Sequence, residues 1–394
     1  MPKLAIEDLP LRGRRVFLRA DLNVPLDGGA VTDDTRLRAV LPTLRHAIDA
    51  GASVVLASHL GRPKGEPDPR WSLKPVAERL SALLGRPVPL APDCVGDATA
   101  ALVKALGPGD VLLLENLRFH PEEEKNDDGF ARELAGLADV YVNDAFAAAH
   151  RAHASIAAIT HHLQPAAAGL LMRRELEALG RILEAPERPL VAVLGGAKVS
   201  DKLALVEHLL SRVDALLVGG GMAFTFLLAL GHAVGRSLVE PDRIATARRA
   251  LETSRRRGVP LVLPVDAVVA EGLDSPSGRA VPVREIPAGQ MGLDIGPFTI
   301  DRFRAPLKTA RTIVWNGPMG VFEKPPFATG TLAVARAVAG SGAFSVIGGG
   351  DTIAAVNQSG VTDRIGYIST AGGAFLEFLE GRRLPGVEAL TEAA

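Results

Sequence analysis

The sequence predicts an α/β fold made of two doubly wound parallel-sheet, Rossmann-like domains separated by a cleft. Three observations carry this. Short apolar runs alternate with helical patterns along the whole chain, the order expected of βαβ units. Most of the runs are continuously apolar, as strands covered on both faces must be. The chain has 394 residues, more than one ordinary core accommodates.

In chain order, strands are expected at residues 15–20, 53–58, 111–114, 140–143, 190–194, 215–218, 261–265, 312–315 and 344–347. Helices are expected between them, at 34–50, 73–84, 130–137, 200–210, 242–257 and 331–339. A charged, helix-like segment over 172–183 leads into a proline-bearing stretch, so the domain boundary is expected within 171–189. There is no fixed-period repeat and no low-complexity segment.

Composition excludes several classes of function. Hydrophobic residues make up 47% and charged residues 23%, as in globular proteins. The formal net charge of −1 gives no argument for nucleic acid or an acidic membrane. An aromatic content of 4% offers few stacking surfaces. A single cysteine, Cys94, fits a reducing compartment. No apolar run reaches membrane-spanning length, and the first residues lack an apolar signal core. A cytoplasmic location is expected, with neither nucleic acid nor membrane as partner.

Ligands of doubly wound sheets sit beyond the carboxyl ends of the strands. In the first half those ends are polar and basic: Asp21 and Asn23 with Arg36 close behind, His59 and Arg62, Arg118, then His150, Arg151 and His153. Arginine pairs bidentately with phosphate and carboxylate, so this edge suits a multiply charged anion. In the second half the ends are rich in glycine: Gly195-Gly196, Gly219–Gly221, Gly317 and Gly348–Gly350. The last of these reads as strand, turn and helix start, with Asp351 and Thr352 where a cap would stand, a geometry that binds phosphate. Lys198 and Lys202 are expected on one side of a helix start, an unfavourable place for lysine unless it meets an anion. Neither GxxxxGK[ST] nor a GxGxxG within a βαβ unit occurs. The histidines stand apart from acidic partners at metal-ligand spacing.

These residues lie in segments that resemble the phosphoglycerate kinase family: RADLNVPL at 19–26, SHLGRP at 58–63, ENLRF at 115–119, NDAF followed by AHRAHAS at 149–155, GGAKVSDK at 195–202, GGGMAFTFL at 219–227, LDIGP at 293–297, WNGPMGVFE at 315–323 and GGGDT at 348–352. One departure is Ala147-Ala148, where the family usually has Gly-Thr.

The resemblance implies reversible phosphoryl transfer from 1,3-bisphosphoglycerate to ADP, giving 3-phosphoglycerate and ATP, with Mg²⁺. It implies an acid site at Asp21, Asn23, Arg36, His59, Leu60, Gly61, Arg62, Arg118 and Arg151. It implies a nucleotide site at Lys202, Gly292, Glu323, Gly349, Gly350, Asp351 and Thr352, with Asp351 on the metal and Glu323 on the ribose hydroxyls. Arg36, Lys198, Gly350 and Gly373 are the expected catalytic positions. The implied domains are 1–171 for the acid and 186–373 for the nucleotide, with a hinge over 172–185 and a tail from about 374 to 394 packed back on the first. Two rivals fit the same architecture, a nicotinamide-dependent dehydrogenase and a non-enzymatic two-domain anion-binding protein. The missing GxGxxG counts against the first. The second glycine-rich site and the lack of a signal peptide count against the second.

Overall fold

The computed structural model describes residues 2–393 and divides into two compact units. One runs to Glu177 and resumes at Arg383; the other is Ala178–Arg382.

The first unit is built on a five-stranded parallel sheet. Its spatial order is Val111–Leu113, Ser53–Ala57, Arg15–Arg19, Val140–Asn143 and Ala166–Ala168. Numbered along the chain this is 3-2-1-4-5, so the order reverses between Arg15–Arg19 and Val140–Asn143. Val16, Leu18, Val54, Leu56, Val140 and Val142 face one core with Leu37, Val40 and Leu44 of the helix Thr35–Asp49. Phe17, Val55, Leu112 and Tyr141, the alternate positions, are also buried. Burial on both faces explains why these strands read as unbroken apolar runs.

The second unit holds a six-stranded parallel sheet ordered Leu261–Val262, Ala215–Val218, Leu190–Leu194, Thr312–Asn316, Phe344–Gly348 and Tyr367–Ser369. That is 3-2-1-4-5-6, with the switch between Leu190–Leu194 and Thr312–Asn316. Val191, Val193, Ile313, Trp315 and Ile347 share one core with the helices Pro297–Thr309 and Thr329–Gly340.

Three expectations need correction. The run at 261–265 is strand only over Leu261–Val262, and the chain then opens a separate antiparallel sheet ordered Arg279–Pro282, Asp266–Ala270, Met291–Ile295. Pro264 lacks the N–H that would continue the parallel ladder. The segment Ser200–Lys202 is a 3₁₀ turn, and the α-helix there starts only at Leu203, so Lys198 precedes both. The tail joins the first unit from Arg383, not from 374. Phe375 and Leu379 bury the helix Gly372–Leu379 within the second unit, where it contacts the helix Leu203–Leu209. The returning tail pairs Lys3 with Glu392, and Gly386 N–H donates to Ala149 O at 2.8 Å. The unit division falls between Glu177 and Ala178, inside the helix Leu170–Leu183. No described helix is long and apolar enough to cross a membrane.

Candidate active site

In the first unit, hydrogen bonds tie three strand ends together. Arg36 Nη1 donates to Asp21 Oδ2 at 2.9 Å and to Asn23 O at 3.0 Å. Asn23 Oδ1 accepts Gly61 N–H at 2.9 Å, and Gly61 O accepts Arg118 Nη1 at 2.8 Å. Gly61 has φ +59°, and a Cβ there would stand 2.1 Å from the Trp71 ring, so only glycine fits under the indole. Arg118 is 6% exposed and faces Glu124 Oε1 at 3.1 Å. Its burial lowers the guanidinium pKa, which makes a bound anion the more favourable partner.

Asn116 anchors this edge, a role the sequence reading did not assign. Its Oδ1 accepts Leu60 N–H and Arg118 N–H, each at 3.1 Å, and its Nδ2 donates to Leu60 O at 2.7 Å and Trp71 O at 2.9 Å. Asn116 is fully buried, so these bonds set the loop carrying His59, Leu60 and Gly61.

Beneath it, Arg19 Nη2 lies 3.2 Å from His59 Nδ1 and Arg19 Nε donates to Ser155 Oγ at 2.8 Å. Ser155 Oγ donates in turn to the buried Glu123 at 2.6 Å. Burial, with Arg19 and Arg118 alongside, pushes the His59 pKa well below the usual histidine value and that of His153 down to about 3. Both rings are neutral in the fold. Of the remaining basic residues, Arg151 Nε donates to His150 Nε2 at 3.1 Å. Arg62 is exposed and bonded to no described residue.

This neutrality predicts a pH dependence. The unfolded chain takes up protons near pH ~6.5, whereas folded His153 does so only near 3. The unfolded state therefore binds more protons across that window, and stability falls as the pH drops through it, by at most about 1.4 kcal/mol per pH unit for each such histidine. Urea unfolding of a Trp315→Phe background, read through Trp71, is expected to lose stability from pH 7 to 5 more steeply than the same protein carrying His153→Gln.

In the second unit, Lys202 spans the switch point. It is 8% exposed, and its Nζ donates to Gly195 O at 2.5 Å and Asn316 O at 3.1 Å. Glu240 holds the turn before it, accepting Val199 N–H at 2.5 Å and Ser200 N–H at 2.9 Å. Lys198 is exposed and bonded to no described residue, so the two lysines do not form the like pair expected of them.

The glycine turn differs from the expected cap. Gly349 is the N-cap, and the helix begins at Gly350. Gly349 has φ +96°, and a Cβ there would meet Asn316 Nδ2 at 2.7 Å, which excludes Asp or Thr from the position. Thr352 Oγ1 instead accepts Gly317 N–H at 2.7 Å from the neighbouring strand end. Asp351 is exposed, makes no cap bond, and lies in the first turn, where the helix dipole favours negative charge.

A cavity of about 370 Å³ opens at these strand ends, lined by Gly292, Glu323 and Asp351 together with an apolar wall that includes Phe224, Leu238 and Met291. Gly292 and Met291 come from the antiparallel sheet, and the Phe224 ring packs over Gly292. Asp294, also in the lining, is 3% exposed and accepts Gly330 N–H at 2.6 Å. Burial pushes its carboxyl up to about 7. Lys198, Lys202, Gly349, Gly350, Thr352 and Gly373 lie outside the lining. The apolar wall was not read from the sequence. Its signal, GGGMAFTFL, carries aromatics just past a strand end.

A model of the phosphoglycerate kinase family matches residues 6–382. A phosphoglycerate kinase of Moorella thermoacetica is 57% identical over 394 residues, covering 100% of both chains. One of Anaeromyxobacter sp. strain K is 58% identical over 391 residues, covering 98% of this chain and 99% of that protein. The structure of phosphoglycerate kinase from Coxiella burnetii superposes with a TM-score of 0.92 at 45% identity, covering 98% of each chain. That from Pyrococcus horikoshii OT3 does so with a TM-score of 0.83 at 38% identity, again over 98% of each. The chain is thus an α/β phosphotransferase of two sheet-based units. It belongs to the phosphoglycerate kinase family and catalyses reversible phosphoryl transfer from 1,3-bisphosphoglycerate to ADP, giving 3-phosphoglycerate and ATP in glycolysis.

Proposed function

We propose that the first unit binds the phosphoglycerate and the second the nucleotide, in the cytoplasm and as a monomer. The observation that carries this reading is the contrast at the two sheet edges. One links Arg36 and Arg118 through Asn23 and Gly61; the other surrounds an apolar-walled cavity of about 370 Å³. Arginine forks suit a phosphate and a carboxylate, whereas an adenine ring needs an apolar slot.

On this reading Arg36, Arg62, Arg118 and Arg151 neutralise the acid's anionic groups, and Asp21 and Asn23 orient Arg36. Neutral His59 adds a hydrogen bond without adding charge. Leu60 and Gly61 fix the loop that presents it. In the second unit, the base lies against the apolar wall over Gly292, and Glu323 accepts from the ribose hydroxyls. Lys202 and the N–H groups of Gly349, Gly350 and Thr352 face the phosphates. Asp351, exposed at the cavity and free of capping duty, fits a Mg²⁺ ligand. Mg²⁺ keeps several waters, so one carboxylate suffices, and it would supply charge neutralisation to the nucleotide phosphates. Lys198 and Arg36 stabilise charge on the moving phosphoryl group, with the backbone at Gly350 and Gly373. A carboxylate oxygen of the acid is itself the nucleophile or leaving group, so positioning and charge do the catalysis without a strong general base. The two ligands must meet with water excluded, which requires the units to close on each other about the helix Leu170–Leu183.

A coupled assay with 3-phosphoglycerate and MgATP tests this reading against a dehydrogenase and a non-enzymatic anion binder; neither rival produces ADP. A second test uses Lys202→Ala, expected to weaken ADP binding roughly tenfold or more while 3-phosphoglycerate affinity stays within about twofold, the scale of a lost charge-assisted bond. Because Lys202 also satisfies two carbonyls, urea unfolding of the variant accompanies the titrations. Equal losses for both ligands contradict the assignment.

A further inference from the structure

We propose that Asp93, Cys94 and His120 form a binding site for one thiophilic divalent cation of the Zn²⁺ class, separate from the nucleotide's Mg²⁺. The sequence reading set the histidines apart from acidic partners; the fold brings His120 to Asp93 across 27 residues. One carboxylate oxygen, the sulfur and one ring nitrogen all lie within 4.8 Å of one another. Tetrahedral Zn²⁺ with bonds of about 2.0–2.3 Å needs ligand atoms about 3.3–3.8 Å apart, so the hydrogen-bonded Asp93–His120 pair, at 2.6 Å, must open to admit an ion between them.

The three groups are held in place from outside. The His120 ring stacks on Phe130 at a centroid distance of 5.0 Å. Thr99 Oγ1 donates to Asp93 O at 3.0 Å, and Cys94 Sγ donates to Glu115 O at 3.0 Å. Such outside contacts orient ligands before a metal arrives. The sulfur is fully buried, while the His120 and Asp93 side chains are 26% and 48% exposed, which gives an ion an approach from solvent. Sulfur, imidazole and carboxylate together select Zn²⁺, Co²⁺ or Cd²⁺ over Mg²⁺.

Binding converts the Cys94 thiol to a metal-bound thiolate and releases its proton to solvent.

Co²⁺ is the probe, added under argon to chelator-treated protein. Cys94 is the only cysteine, so a near-ultraviolet thiolate-to-cobalt band can have no other source in the chain. The expected result is one equivalent of Co²⁺ producing that band, its displacement by Zn²⁺, and its persistence in excess Mg²⁺. Cys94→Ser is expected to abolish the band. His120→Gln, at a partly exposed position, is expected to weaken Co²⁺ binding roughly tenfold or more, since losing even an outer partner acts on that scale. No band in the unmodified protein overturns the proposal, as does a band unchanged in both His120→Gln and Asp93→Asn.

Discussion

Replacing Arg36 with alanine is expected to lower kcat by roughly 10²–10³-fold, the size of effect seen when one donor to transition-state charge is removed. ADP affinity should stay within about twofold of the unmodified protein, because Arg36 belongs to the first unit and the nucleotide is assigned to the second. Arg36 is placed for this task. One guanidinium nitrogen is spent on Asp21 and on Asn23 O, which fixes the plane of the group. The side chain is 36% exposed, so it remains accessible to a ligand. Arg36→Lys should recover little, since a point charge does not reproduce the fork. Calorimetric ADP binding that weakens as much as turnover would show that the division of labour is wrong.

Asp351→Asn is the second substitution with a large expected effect. Gly349 caps the helix and Asp351 makes no cap bond, so the change keeps shape and removes only charge. Losing a first-turn carboxylate costs at most about 1 kcal/mol of helix stability, and thermal unfolding without ligands should move little. Turnover, by contrast, should fall roughly tenfold or more at low Mg²⁺ and recover in part as Mg²⁺ is raised, because the metal would have lost its protein carboxylate. Normal activity at low Mg²⁺ would leave Asp351 as a favourable first-turn charge and nothing more.

The inner strands of both sheets were legible because burial on both faces leaves a simple mark, an apolar run, whereas the short edge strands Ala166–Ala168 and Tyr367–Ser369 were not read. Residues 140–143 and 190–194 are observed as strands over those same limits. The run past Val262 was misread because apolar residues continue through Pro264 into Asp266–Ala270, and nothing local marks the change from parallel to antiparallel pairing. The cap was misplaced for an energetic reason. Aspartate caps well, but only glycine reaches the φ of residue 349 beside Asn316. The basic residues at the first unit's strand ends were visible by type. What holds them was not: Asn116 acts on Leu60 across 56 residues, and Glu240 reaches Val199 across 41. Buried polar anchors of this kind carry no periodic signal, so sequence spacing cannot announce them.

The assignment of one ligand to each unit is tested most directly by amide hydrogen exchange of the full chain with each ligand alone. With 3-phosphoglycerate, the largest added protection is expected at residues 21–23, 59–62, 116–118 and 151–153. With MgADP it is expected at 195–202, 292, 318–323 and 349–352. Protection by 3-phosphoglycerate centred on the second set, or by MgADP on the first, would contradict the account.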